Sequence, residues 1–155
     1  MTELKTILLA EDNTRDVELT LAALAEDNLA NEVVIVNDGA DALDYLHCRG
    51  RFGGRARINP VVALLDLKMP KVDGLEVLAQ IKADARLQTI PVVMLTSSRE
   101  EKDLIESYRL GVNAYVVKPI DFRDFIVAVK ELGVFWALIN EPPPGSVKVR
   151  RTESS

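Results

Sequence analysis

Five residues with chemical potential each follow a short apolar run. Glu11 and Asp12 follow residues 7–10, Asp66 follows 61–65, Thr96 follows 92–95 and Lys118 follows 115–117. Clustered carboxylates repel one another unless a cation joins them. A hard divalent ion is the natural partner, and Mg²⁺ typically takes one or two carboxylates, waters and phosphate oxygens. A carboxylate can also act as a nucleophile and form an acyl phosphate. In such chemistry the Lys118 ammonium offers a point charge to one phosphoryl oxygen, and the Thr96 hydroxyl offers a hydrogen bond to another. Taken singly, each residue has an ordinary explanation. Asp12 or Thr96 could cap a helix, Lys118 could lie on the surface, and Asp66 could sit in a solvated loop. Their recurrence at four matching positions favours a common phosphoryl site.

The elements that must position them are legible in the apolar pattern. Runs at 7–10, 33–36, 61–65, 92–95 and 115–117 are continuously apolar, as expected of strands covered on both faces by helices. Between them, apolar residues recur three and four apart: Val17, Leu21 and Leu24, then Leu43 and Leu46, then Leu75, Leu78 and Ile81, then Leu104, Ile105 and Tyr108. Asn13 and Thr14, Asp73 and Gly74, and Ser97 and Ser98 supply helix start signals. Pro91 precedes the fourth strand, and Gly111 follows the fourth helix. The order is β-α five times, with right-handed crossovers. An eight-unit barrel needs about 250 residues. The expected fold is therefore an open, doubly wound α/β sheet, whose ligand site lies beyond the carboxyl ends of its strands.

A chain of 155 residues, 48 % hydrophobic, suits one domain, and such a domain buries about 70 % of its unfolded surface. Residues 1–140 are expected to form it, with 141–155 as a C-terminal tail. The tail opens on Glu141-Pro142-Pro143-Pro144-Gly145, which ends the last helix by removing backbone donors. The Gly- and Arg-rich stretch 49–60 lacks the Walker spacing of a phosphate loop and is expected to be a solvated connection. A net charge of −5 argues against a nucleic-acid partner, which needs clustered Lys and Arg. The single cysteine, Cys48, excludes an internal disulfide and a four-thiolate metal site, and fits a reducing cytosol. The N-terminal residues lack the basic start and apolar core of a signal peptide. No apolar run approaches the roughly 20 residues of a membrane span. A cytoplasmic protein with no membrane partner is expected.

Together these residues resemble the receiver domain of two-component response regulators. The motifs are Ile7-Leu8-Leu9-Ala10-Glu11-Asp12-Asn13, Leu65-Asp66-Leu67-Lys68-Met69-Pro70 with Asp73-Gly74, Val93-Met94-Leu95-Thr96-Ser97, and Lys118-Pro119. The resemblance spans about 5–139 and implies a flavodoxin-like (βα)5 sheet with strand order 2-1-3-4-5. It implies Asp66 as phospho-acceptor, with Thr96 and Lys118 at the phosphoryl group. It also implies Mg²⁺ held by Asp12, Asp66 and the backbone carbonyl of Lys68, and by Glu11 through water. Tyr115 corresponds to the aromatic switch that turns inward when Thr96 moves, though a half-buried strand tyrosine is its plain alternative. Within the family the chain looks most like the small stand-alone regulators paired with phytochrome-type sensor histidine kinases. The features are Asp16-Val17, Val36-Asn37-Asp38-Gly39 with Ala42-Leu43, the long connection before the third strand, and Phe135-Trp136 before the proline run. Two positions depart from the common pattern: Glu11 stands where Asp is more usual, and Ser97 where many receivers carry Ala.

The competing functions differ in class. An aspartyl-nucleophile phosphatase of the dehalogenase-like type wants a second Asp two residues after the first, and Lys68 stands there instead. A docking-only pseudo-receiver has no need for the full set of acids, Thr and Lys. A phosphorelay intermediate and a phosphate sink stay open beside an end effector. The single histidine, His47, reads as a surface residue at a helix end. The last helix, 121–140, carries Phe122, Phe125, Val129, Leu132, Trp136 and Ile139 on one stripe and Val127, Val134, Phe135 and Leu138 off it. A helix apolar on most sides is buried on most sides, so a homodimer through the fourth helix, fifth strand, fifth helix and C-terminal region is expected.

Overall fold

The computed structural model describes residues 6–25, 32–67, 69–96, 114–117, 123, 127 and 148–151. The five apolar runs are strands: β1 (Thr6–Ala10), β2 (Glu32–Val36), β3 (Val62–Asp66), β4 (Val92–Thr96) and β5 (Ala114–Val117). Three helices alternate with them: α1 (Thr14–Ala25), α2 (Gly39–Leu46) and α3 (Gly74–Ala83). The strands are parallel, and β5-β4-β3-β1-β2 lie side by side in the expected order 2-1-3-4-5. Arg123 and Val127 are helical and exposed. The other residues of the expected fourth and fifth helices lie outside the described residues.

Successive strand residues face opposite sides of the sheet. Leu8, Ala10, Val34, Val36, Ala63, Leu65, Val92 and Met94 form one core with Leu43 and Leu46 of α2 and with Val77, Leu78 and Ile81 of α3. Their neighbours Ile7, Leu9, Val33, Leu64, Val93 and Leu95 are buried as well. This double burial is why the strands read as unbroken apolar runs.

Side-chain caps set each helix start. Asn13 Oδ1 accepts from the Asp16 amide at 3.0 Å, Asp38 Oδ1 from Asp41 at 2.8 Å, and Asp73 Oδ1 from Glu76 at 2.9 Å. Each cap satisfies a backbone donor that the helix itself leaves open.

The structure adds two features to the sequence reading. Residues 148–151 of the tail form a sixth strand, β6 (Lys148–Arg151), parallel to β2 and extending the sheet at that edge. Lys-Val-Arg-Arg lacks the apolar run that marks an interior strand, but an edge strand tolerates charge. Its backbone register sets Lys148 opposite Glu32. The connection 49–60 is also more than a solvated loop. Gly50–Phe52 forms a 3₁₀ turn, and Phe52 packs against the core. Its ring meets Tyr45 edge-on at 5.3 Å between centroids, while the Arg55 guanidinium covers the Tyr45 ring at 3.9 Å. Composition does not reveal such packing, because Gly and Arg also abound in solvated loops.

Candidate phosphoryl and metal site

Register stacks the site residues. Ala10, Leu65, Met94 and Tyr115 are neighbours across β1, β3, β4 and β5. One residue further along, Asp66 pairs with Leu95, and Glu11 follows Ala10 at the end of β1. One further still, Thr96 pairs with Val117. Asp66 and Thr96 are thus the last residues of their strands rather than the first of the loops. Lys118 directly follows Val117 but lies outside the described residues, as do Lys68 and Ser97. Tyr115 and Thr96 are placed by their backbone pairing alone.

Glu11, Asp12 and Asp66 come together as the spacing predicts. One carboxylate oxygen from each lies within 4.8 Å of the others. Glu11 and Asp66 are buried, at 1 % and 6 % exposure, whereas Asp12 is exposed. The Asn13 amide donates to Glu11 Oε2 at 3.2 Å. Asn13 rather than Asp12 caps α1, so the capping alternative for Asp12 falls away. Three hard oxygens at this spacing suit a divalent ion of the Mg²⁺ type, which binds oxygen at about 2.0–2.1 Å and keeps waters in its shell.

The walls of the site depend on two close backbone approaches. A Cβ on Gly74 would stand 2.3 Å from the Asp66 carbonyl oxygen, and one on Gly39 would stand 1.9 Å from the Val72 carbonyl oxygen. The β3–α3 loop is thereby held against the start of α3 on one side and of α2 on the other. The Gly74 amide donates to the Leu67 carbonyl at 2.9 Å. Lys71, with a left-handed φ of 65°, sets its Nζ 3.4 Å from Asp38 Oδ2. Beyond Asp38, the Asp41 carboxyl is pushed up from its ordinary value, first by burial and then by the Asp38 charge, while Arg51 at 2.7 Å pulls it down. Gly74 is both a helix start signal in the sequence and, in the fold, a spacer that lets α3 approach the Asp66 backbone. The Asp-Gly pair at 73–74, following an Asp at a strand end, is the local sign of it.

His47 closes α2, with Nδ1 3.9 Å from Asp84 Oδ2. Cys48 is a free thiol of intermediate exposure. Neither approaches the acidic cluster in sequence or register. Among the described residues, no helix is long and apolar enough to cross a membrane.

Comparison with known proteins agrees with this geometry. The response regulator receiver domain matches residues 7–130. The chain is 42 % identical over 137 residues to the probable methanogenesis regulatory protein FilR2 of Methanothrix harundinacea, covering 88 % of this chain and 86 % of that protein. It is 41 % identical over 132 residues to response regulator Rcp1 of Synechocystis, covering 85 % and 88 %. A solved Mn²⁺-bound form of Rcp1 superposes with a TM-score of 0.72 at 40 % identity, covering 91 % of this chain and 99 % of that one. The bacteriophytochrome response regulator RtBRR superposes with a TM-score of 0.83 at 61 % identity, covering 93 % and 87 %. With its acid-bearing strand ends and its parallel sheet, the chain belongs to the response regulator receiver family.

Proposed function

We propose that this protein is a phosphorylation-controlled signalling switch in which Asp66 accepts a phosphoryl group from a sensor histidine kinase of the phytochrome type. The observation that carries this reading is the meeting of Glu11, Asp12 and Asp66 oxygens within 4.8 Å at the ends of β1 and β3. The names of its relatives Rcp1 and RtBRR support the response-regulator role, and the latter the phytochrome connection.

In this reading an Asp66 carboxylate oxygen attacks the phosphorus of a phosphohistidine. The phosphorus–nitrogen bond breaks, the imidazole leaves, and an acyl phosphate forms on Asp66. Asp12, Asp66 and the Lys68 carbonyl would hold Mg²⁺, with Glu11 reaching it through water. When bound, such an ion would supply charge neutralisation to the crowded carboxylates and the incoming phosphoryl group. Lys118 supplies a compact positive charge to the phosphoryl group, and the Thr96 hydroxyl donates a hydrogen bond to it. Movement of Thr96 lets Tyr115 turn inward, which changes the surface of the fourth helix, β5 and the fifth helix. A homodimer forms through that surface and the C-terminal region. The protein is a cytoplasmic acceptor and switch rather than an enzyme acting on an external substrate.

Incubation with acetyl phosphate and Mg²⁺ tests the acceptor. One phosphoryl group is expected on wild type and none on Asp66→Asn, and EDTA stops the reaction. Full labelling of Asp66→Asn would remove Asp66 from this role.

A further inference from the structure

At the end of the sheet opposite Asp66, a second polar cleft opens. Its volume is about 330 Å³, and it is lined by Leu46, Arg55, Arg57, Asn59, Arg86 and Leu87. These come from the end of α2, the connection entering β3, and the turn after α3. Asn59 precedes β3 and Asp66 ends it. The length of that strand, roughly 3.3 Å per residue, therefore separates the cleft from the acidic site.

Three of the six residues lining this cleft are arginines, in a chain of net charge −5. Their compensation is incomplete. Among the described residues, Arg55 and Arg57 have no carboxylate within ion-pair distance, while Arg86 Nε stands 4.0 Å from Asp84 Oδ1. The other arginines of this stretch are matched, Arg49 to Asp44 at 2.8 Å and Arg51 to Asp41 at 2.7 Å. Within the stretch 49–57, the arginines without an ion pair among the described residues are thus the two that line the cleft.

The Arg55 head group is also fixed in place. Its Nε donates to the Tyr45 carbonyl at 2.8 Å, and its Nη1 donates to the carbonyls of Ala56 at 2.8 Å and Ile58 at 3.1 Å. Its plane covers the Tyr45 ring at 3.9 Å. These partners are neutral, so they orient the cation without cancelling it, and none of these bonds uses Nη2. Asn59 Nδ2 donates to the Arg86 carbonyl at 2.7 Å and ties the third arginine's turn to the mouth of β3. A pre-oriented guanidinium loses less freedom on binding, and its fork matches phosphate oxygens.

We propose that this cleft is a binding site for a small phosphorylated anion, held by Arg55, Arg57 and Arg86. A doubly charged phosphate group answers a cleft lined by three arginines better than a single carboxylate does. The volume falls at the lower end of small-molecule sites, about 300–1,000 Å³. Leu46 and Leu87 provide an apolar wall for an organic portion.

Calorimetric titration of the full chain with pyrophosphate, in EDTA so that no metal-bridged binding occurs at Asp66, tests this. Saturable one-to-one binding is expected, weakening about tenfold or more in Arg57→Ala/Arg86→Ala through loss of two charge-assisted contacts. Asp66→Asn and the control Arg49→Ala bind as wild type. In the unmodified protein, amide NMR shifts on titration gather at Asn59, Arg86 and Leu87, a readout that needs no variant to fold. Absence of saturation at millimolar pyrophosphate, unchanged affinity in a folded double variant, or shifts confined to Glu11–Asn13 would each overturn the proposal.

Discussion

Gly74 stands so close to Asp66 that a Cβ on the former would lie 2.3 Å from the carbonyl oxygen of the latter. The obstacle is backbone at the end of a buried strand, so it cannot swing aside as a flexible side chain would. The first turn of α3 therefore reaches Asp66, the proposed phospho-acceptor, only through a residue without a side chain. Gly74→Ala is expected to push the β3–α3 loop off Asp66 and to destabilise the fold by roughly 1–3 kcal/mol, the usual range for overpacking. Labelling by acetyl phosphate should slow more than the fraction unfolded accounts for. Urea unfolding and labelling rates on the same samples check both, and wild-type values in each would show that the loop yields freely.

Asp38 has two separable roles. It caps α2 through the Asp41 amide at 2.8 Å, and its other oxygen faces Lys71 at 3.4 Å. Asp38→Ala removes both and should cost about 1 kcal/mol, the typical value for a lost cap. Asp38→Asn keeps a capping oxygen and loses only an ion pair whose lysine is largely exposed, a change within about 1 kcal/mol. The ranking of urea midpoints, with Ala below Asn, is the outcome to look for. Equal midpoints would mean that the cap contributes little.

Asp41 gives a pH signature. Burial first, and the Asp38 charge second, raise its carboxyl above the ordinary 3.8. The folded chain then binds more protons at this group than the unfolded chain does. Its contribution to stability therefore falls as pH rises from 3.8 through the raised value, and levels off beyond it. Asp41→Asn lacks this titration and retains an oxygen to accept from Arg51. Its stability relative to wild type should climb with pH across that window and then stay constant. Denaturant midpoints measured in parallel for the two proteins give the difference directly. A difference that does not vary with pH would contradict the raised value.

The proposed dimer would use Phe135 and Trp136, adjacent residues that point about 100° apart if helical and so do not both reach one narrow core stripe. An isologous interface uses one patch on both copies and, if stable, buries on the order of 800 Å² per partner. Sedimentation should find wild type dimeric and the Phe135→Glu, Leu138→Glu variant monomeric. A wild type that stays monomeric at high micromolar concentration, phosphorylated or not, would sink the dimer and favour a tail folded over that patch.

Local sequence signals set the order from β1 to β5 with α1, α2 and α3 between, and the strand ends that carry Glu11, Asp12, Asp66 and Thr96. These depend on local signals: unbroken apolar runs where both faces are covered, three-four spacing for helices, and caps such as Asn13 and Asp73 that bond within three residues. Tertiary structure decided what depends on distant approach. Asp12 stays exposed while Glu11 and Asp66 are buried, because neighbouring strands and loops cover the latter two. Gly39 admits the Val72 carbonyl, and Arg55 lies over Tyr45, through contacts made by residues ten or more apart. The polar Lys148–Arg151 segment is a strand because the open edge of β2 offers it unpaired backbone donors and acceptors. Nothing in the four residues themselves specifies that edge, since pairing between remote strands is set by the assembled sheet.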